Sequence, residues 1–264
     1  MSDASGRATD TKKSRWAATL GMALLAAAGS LQAGVASAGA CPVTLPQGSE
    51  PVTPDPADFV DRIDNPFLPF LPGSRWVYRE TDAEGARQRV TVTVTDRTRP
   101  IEGIAATVVH DKVTERGALV ENTFDWYAQD GCGNVWYLGE NTKEYEDGEV
   151  VSTEGSWEHG VDGAMAGVVM PADRQVGLSY RQEYYAGEAE DRGEIASLDE
   201  QAQVPFGHFG DVVVTKDTTP LQPRVLEYKF YAEGVGVVLA VGISGGSDRE
   251  ELVQFTPGPE IREA

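Results

Sequence analysis

The residues of this 264-residue chain best suited to chemistry are its carboxylates, its tyrosines and tryptophans, three histidines and one serine in a glycine-rich run. Glu183, Glu188, Glu190 and Asp191, with Glu144, Glu146 and Asp147, hold the raw material of a glycosidase pair, which needs two carboxyl groups roughly 5–10 Å apart on facing walls. With 42 acidic residues in the chain, such pairs arise from composition alone, and spacing selects none of them. Glu154, Glu158, His159 and Asp162 are the one tight mixture of imidazole and carboxylates. They match neither the oxygen-rich spacing of a calcium loop nor the paired histidines of a zinc site, so no metal is assigned. Gly242-Ile243-Ser244-Gly245-Gly246 fits the G-x-S-x-G pattern of a hydrolase nucleophile, but another strand-like run follows where a helix is required, and a hairpin turn is expected instead. His110, His159 and His208 lie far apart without a local partner that would make any of them a general base. No catalytic residue and no cofactor site is assigned.

The aromatics are more informative. Rings with polar edges suit stacking on a sugar or lining an apolar pocket, and Tyr127, Tyr137, Trp157, Tyr185 and Tyr231 are the candidate ligand contacts. Trp157, in a glycine-rich insert, and Tyr185, beside charged neighbours, are expected to be exposed. Trp126, Trp136, Tyr145, Tyr180 and Tyr184 fit core packing.

What must position these groups is a chain of 41% hydrophobic residues, with a formal charge of -20 and a pI near 4.4. A surface of that sign repels phosphate backbones and anionic lipid, which excludes nucleic acid as a partner. At the N-terminus, Arg7, Lys12, Lys13 and Arg15 precede an apolar stretch from Ala17 to Ala28 and the small-residue site Ala36-Ser37-Ala38. This reads as a signal peptide over 1–38, and hence as export to the periplasm or beyond. No later stretch is apolar for long enough to form a membrane span. In an oxidising compartment Cys41 and Cys132, the two cysteines, are expected to form a disulfide. The rival reading makes Cys41 a lipid-bearing residue, although the leucine usual three places before such a cysteine is missing.

Residues 39–72 form a proline-rich lead-in whose second half, Asn65 to Pro72, is apolar enough to pack against the body and cover an open end. From 73 to 255 the pattern has period two. Val90, Val92 and Val94 alternate with threonines, and similar runs recur at about 75–81, 104–114, 119–129, 134–140, 143–153, 178–188, 192–198, 209–216, 224–232, 236–243 and 248–255. Residues 160–172 are expected to hold a short helix or irregular crossover, and 256–264 a tail. A weak internal repeat relates about 73–142 to 177–245: Tyr127-Ala128 matches Tyr231-Ala232 at an offset of 104, and Gly131, Gly133, Val135 and Gly139 match Gly234, Gly236, Val238 and Gly242 at 103. Two meanders of this kind cannot each cover an apolar face, so one continuous curved antiparallel sheet, a barrel or half-barrel, is the expected fold. In the matched strands, Phe124, Trp126 and Ala128 with Tyr228, Phe230 and Ala232 are the candidate core face. Asp125, Tyr127, Lys229 and Tyr231 then face solvent or a ligand.

The runs Asp125-Trp126-Tyr127-Ala128-Gln129-Asp130, Gly133-Asn134-Val135-Trp136-Tyr137-Leu138-Gly139-Glu140, Thr142-Lys143-Glu144-Tyr145 and Ser152-Thr153-Glu154-Gly155-Ser156-Trp157-Glu158 resemble a family of exported bacterial proteins with no assigned activity. The last strand pair, from Tyr231 to Gly236, is similar to those of curved-sheet envelope proteins, including half-barrel lipoprotein carriers. These resemblances imply a fold and export, and they bring no catalytic residue. The leading expectation is a secreted or periplasmic protein that binds a small apolar or amphipathic molecule in the concave side of its sheet. A carbohydrate-active enzyme taking a glycan, and a structural envelope protein, are the alternatives.

Overall fold

The computed structural model describes residues 44–81, 85–244 and 247–259. The stretch 1–38 expected to be a signal peptide and Cys41 lie outside them, as do Gly245, Gly246 and most of the tail. Apart from one short 3-10 turn, Pro56–Asp58, every element is a strand. They are β1 (Phe59–Val60), β2 (Arg75–Thr81), β3 (Arg87–Ile101), β4 (Ile104–Glu115), β5 (Ala118–Asp130), β6 (Val135–Glu146), β7 (Glu149–Ser152), β8 (Trp157–Glu158), β9 (Met165–Met170), β10 (Ser179–Arg181), β11 (Glu183–Tyr184), β12 (Arg192–Val204), β13 (Gly207–Thr218), β14 (Leu226–Ala232), β15 (Gly236–Ser244) and β16 (Arg249–Thr256). The alternation of the sequence accounts for most of them. The stretch 160–172 differs from expectation: it carries β9, a six-residue apolar run too short for periodicity to tell strand from helix.

All the strands join in one antiparallel sheet, ordered β10-β12-β13-β14-β15-β16-β2-β3-β4-β5-β6-β9-β11. Its two ends, β10 and β11, are consecutive in the chain and separated only by Gln182. Ser179–Arg181 pairs with β12, and Glu183–Tyr184 pairs with β9. One kinked segment thus bonds to both edges, and the sheet closes on itself as a barrel, leaving no long edge open. Close approach at this seam needs Gly167 on β9, where an added Cβ would lie 2.4 Å from the Arg181 carbonyl oxygen. Arg181, 1% exposed, staples the seam: its guanidinium donates to the carbonyls of Gly48 (2.6 Å), Glu50 (2.8 Å) and Ala166 (2.9 Å).

The proline-rich lead-in, lacking donors for a ladder, runs across the seam and then closes one end of the barrel. Gly234 N–H donates to the Pro66 carbonyl, and the Gln129 side-chain oxygen accepts from the backbone of Asp64 and Asn65. Those bonds hold Leu68 and Phe70 inside, where the Phe70 ring meets Trp76 (5.9 Å) and Tyr127 (4.9 Å).

Candidate functional site

Inside the barrel is a cavity of about 670 Å³. Residues paired directly across an antiparallel sheet share a face, so the ladder assigns its walls. Trp76, Val92, Asp111, Thr123 and Thr142 form one row across five strands; Val109, Asp125 and Glu140 form the next, and Tyr127 pairs with Tyr137 below. The inward face is therefore the one carrying Asp125, Tyr127, Lys229 and Tyr231. The expected core face is the outer one here: Phe124 lies under the Arg97 guanidinium at 5.1 Å and Trp126 under that of Arg99 at 4.3 Å. Because the interior is hollow, the side expected to meet solvent or a ligand borders the cavity, and the outward side is still largely buried, with Trp126 6% and Ala128 2% exposed. A face that borders a cavity keeps its polar groups, and the outer face gains cover from arginine stems.

Along each strand the inward residues change in the same direction. From the plugged end outward, β2 presents Trp76, Tyr78 and Glu80. In the same direction β5 presents Tyr127, Asp125, Thr123 and Glu121, and β6 presents Tyr137, Glu140, Thr142 and Glu144. β14 runs Tyr231, Lys229 and Glu227. The floor, with Leu68, Phe70 and Val237, is apolar, and the waist is tyrosine. The upper part is acidic and opens between exposed Glu154, Glu188 and Leu221. The Tyr127 and Tyr137 rings stack at 4.8 Å, while the Trp76 and Tyr78 polar tips are satisfied by the carbonyls of Val235 and Val237.

Of the described residues that face the cavity, thirteen carry carboxyl groups and two, Lys229 and Arg249, are cations. Both cations are already engaged: Lys229 with Asp217 (2.9 Å) and Glu227 (3.5 Å), Arg249 with Glu251 (3.1 Å). Burial lowers the affinity of Lys229 for its proton, but the two carboxylates more than offset this and keep it an ammonium. Three other carboxyls are held by neutral donors. Tyr137 donates its hydroxyl to Asp125 (2.8 Å) and Thr142 to Glu140 (2.6 Å), and the Trp157 indole donates to Glu183 (2.8 Å). Burial pushes Asp125 and Glu183 well above the usual carboxylate range, with neighbouring charges adding to it. Chiefly through burial, Glu140 rises to about 7, Asp191 to about 6 and Glu227 to about 8.

Of the five residues singled out from sequence, Tyr127, Tyr137 and Tyr231 line the cavity. Trp157 and Tyr185 do not, and Trp157, expected to be exposed, is 4% exposed. It packs with Ala164 and Ala189 behind the wall, edge-on to Tyr137 at 5.3 Å, and half-buried Tyr185 packs beside it. What admits it is Gly139, at φ +134°, where a Cβ would fall 2.3 Å from the Trp157 carbonyl oxygen. Sequence reasoning missed Trp76, Tyr78 and Glu140 as wall residues. The alternation through β5 and β6 was a usable signal once the inner face was known.

The other candidates are dispersed. Glu183, Glu188, Asp191 and Glu144 line the cavity, whereas Glu190 accepts a hydrogen bond from Gly187 N–H at 2.9 Å, and Glu146 and Asp147 sit at the β6–β7 turn. Glu154 stands at the cavity mouth, Glu158 is ion-paired to Arg99, and Asp162 occupies a left-handed turn position at φ +51°. His159 is buried, accepts the Ala166 N–H at Nδ1, and is held neutral by burial. His110 stacks on Phe124 of the outer face, His208 is exposed at the start of β13, and Ser244 ends β15. Cys132 lies in the β5–β6 turn, where its N–H donates to the Asp130 carboxylate.

No protein-family model and no curated protein sequence matches the chain. Among solved structures, a candidate lipoprotein from Parabacteroides distasonis is similar to it at 14% identity, over 73% of this chain and 99% of that one, with a TM-score of 0.38. No helix among the described residues is long and apolar enough to cross a membrane.

Proposed function

We propose that the protein is a secreted or envelope binding protein whose barrel takes up one small amphipathic molecule, apolar end first. The observation that supports this most is the cavity: about 670 Å³, closed at one end by the lead-in and open at the other, with walls graded from apolar to acidic. That volume lies in the range of ligand pockets, and a protein serving only as scaffold gains nothing from leaving its core empty. Tyr127, Tyr137 and Tyr231 form the waist a ligand would pass, and Trp157 and Tyr185 buttress it from behind. Native mass spectrometry of the protein mixed with single-chain amphiphiles, together with displacement of an environment-sensitive dye, tests the reading. One ligand per chain and dye release are expected. Absence of both would remove it.

Carbohydrate hydrolysis draws on the same walls, since Glu140 near 7 and Asp191 near 6 are suited to acid and base roles. Glu158 is unsuited to it, being paired to Arg99 at 46% exposure of the latter. Turnover of a polysaccharide panel, lost in Glu183→Gln, would establish that reading, and inactivity of the wild type across the panel would eliminate it.

A further inference from the structure

We infer that the ligand is an organic cation with an apolar or aromatic body, its charge held by Asp125, Glu140, Glu183 and Asp191. The inference deepens the binding reading above and rests on it. Three features of the cavity, besides its acidic count, point to the sign of the guest.

The first is the disposition of the four carboxyls. Asp125 and Glu140 stand opposite one another on β5 and β6, and the Glu183 backbone bonds to that of Asp191 at the seam, so the two pairs gather on adjoining walls of one enclosed space. The second is what holds them. The hydrogen-bond donors to Asp125, Glu140 and Glu183, a phenol, a threonine hydroxyl and an indole, orient them without supplying a positive charge. Where the fold needs a buried carboxylate compensated it supplies an ammonium, as Lys229 shows between Asp217 and Glu227. Lys229 also attracts Asp191 and Glu183, and an incoming cation would provide the same service chiefly to Asp125 and Glu140, which no cation among the described residues reaches, at a depth where charge attraction is strong. The third is the ring system directly below. The stacked Tyr127 and Tyr137 pair and the floor of Phe70 and Trp76 offer π-faces and apolar surface, which favour a cation bonded to carbon over a hydrated metal ion. An anionic amphiphile meets thirteen carboxyls on the same path.

The test is calorimetric titration of the full chain near neutral pH with three amphiphiles of equal chain length, dodecyltrimethylammonium, dodecanol and dodecanoate, and with spermidine as a cation lacking an apolar body. Dodecyltrimethylammonium is expected to bind about tenfold or more tighter than the other three. If dodecanol or dodecanoate binds as tightly, the assigned sign is wrong while the binding reading survives; if none of the four binds, both fall. If spermidine matches the alkylammonium, the apolar body is overturned. In Asp125→Asn/Glu140→Gln, the preference for the cation should collapse to within a few-fold while dodecanol affinity holds. An unchanged preference overturns the role of these two groups. Should that variant not fold, raised salt serves in its place: cation affinity must weaken and dodecanol affinity must not, and salt-insensitive cation binding contradicts the inference.

Discussion

At the plugged end of the barrel, Phe70, Trp76 and Tyr127 are packed ring to ring, and the polar tips of Trp76 and Tyr78 meet backbone carbonyls. Two or three residues further along β5 and β6, Asp125 and Glu140 share with Glu183 of β11 one space in which acidic groups far outnumber basic ones. The lower end is built for stability, with apolar surface removed from water and donors paired. The upper end is costly: burial has raised its carboxyls because their ionised forms lack solvation. A fold that keeps such groups together in a hollow space gives up stability there.

The contrast can be broken most sharply at the plug. Phe70→Ala removes a ring that two others lean on and should cost about 3–5 kcal/mol in urea unfolding. If the plug were a loosely laid cover, the loss would be below about 1 kcal/mol. The acidic end should respond to pH. Glu140, Asp191 and Glu227 bind their protons more tightly folded than unfolded, so between the ordinary carboxylate pKa and about 8 the native state holds more protons. Their contribution to stability is therefore complete below about pH 4 and is lost as pH rises through 6 to 8. The unfolding free energy of the ligand-free protein should fall from pH 5 to pH 8 by a total on the order of 2–4 kcal/mol, read as a falling thermal midpoint; a flat or rising profile would contradict the account. Glu140→Gln should shallow that profile and raise stability at pH 8 by about 1–2 kcal/mol, since an amide has no ionised form to desolvate. The smallest effect is expected of Tyr137→Phe. Removing the donor to Asp125 should cost about 1 kcal/mol, more at pH 8 than at pH 5, as read from paired denaturation curves.

How far the sequence carries is clear from β5 and β14. Alternation made Asp125 and Tyr127 share one face and Lys229 and Tyr231 the matching one, and the strands, their antiparallel pairing and the packing of the apolar half of the lead-in against the body follow from pattern and composition, whereas closure of the sheet does not. Which face looked inward was not legible, because the usual guide, apolar side in, presumes a filled core, and here Phe124 and Trp126 are sheltered by arginines instead. Trp157 misled for a local reason: its neighbourhood is rich in glycine, but the glycine that matters, Gly139, lies on another strand and makes room for it. The carboxyls could not be chosen from forty-odd acids because their grouping comes from register across β5, β6 and the β10–β11 seam, which no local spacing encodes. The break at Gln182, which lets one segment serve both edges of the sheet, is likewise a property of closure.

The graded interior is the central claim, and its direction can be seen directly. Crystals of the protein grown with dodecyltrimethylammonium bearing bromine at the end of its chain would locate both ends of the guest by anomalous scattering and density. The account predicts bromine on the floor against Phe70, Trp76 and Leu68, with the ammonium above the Tyr127–Tyr137 stack near Asp125 and Glu140. Bromine at the mouth, or an amphiphile seated on the outer wall with the cavity filled by water alone, would contradict it.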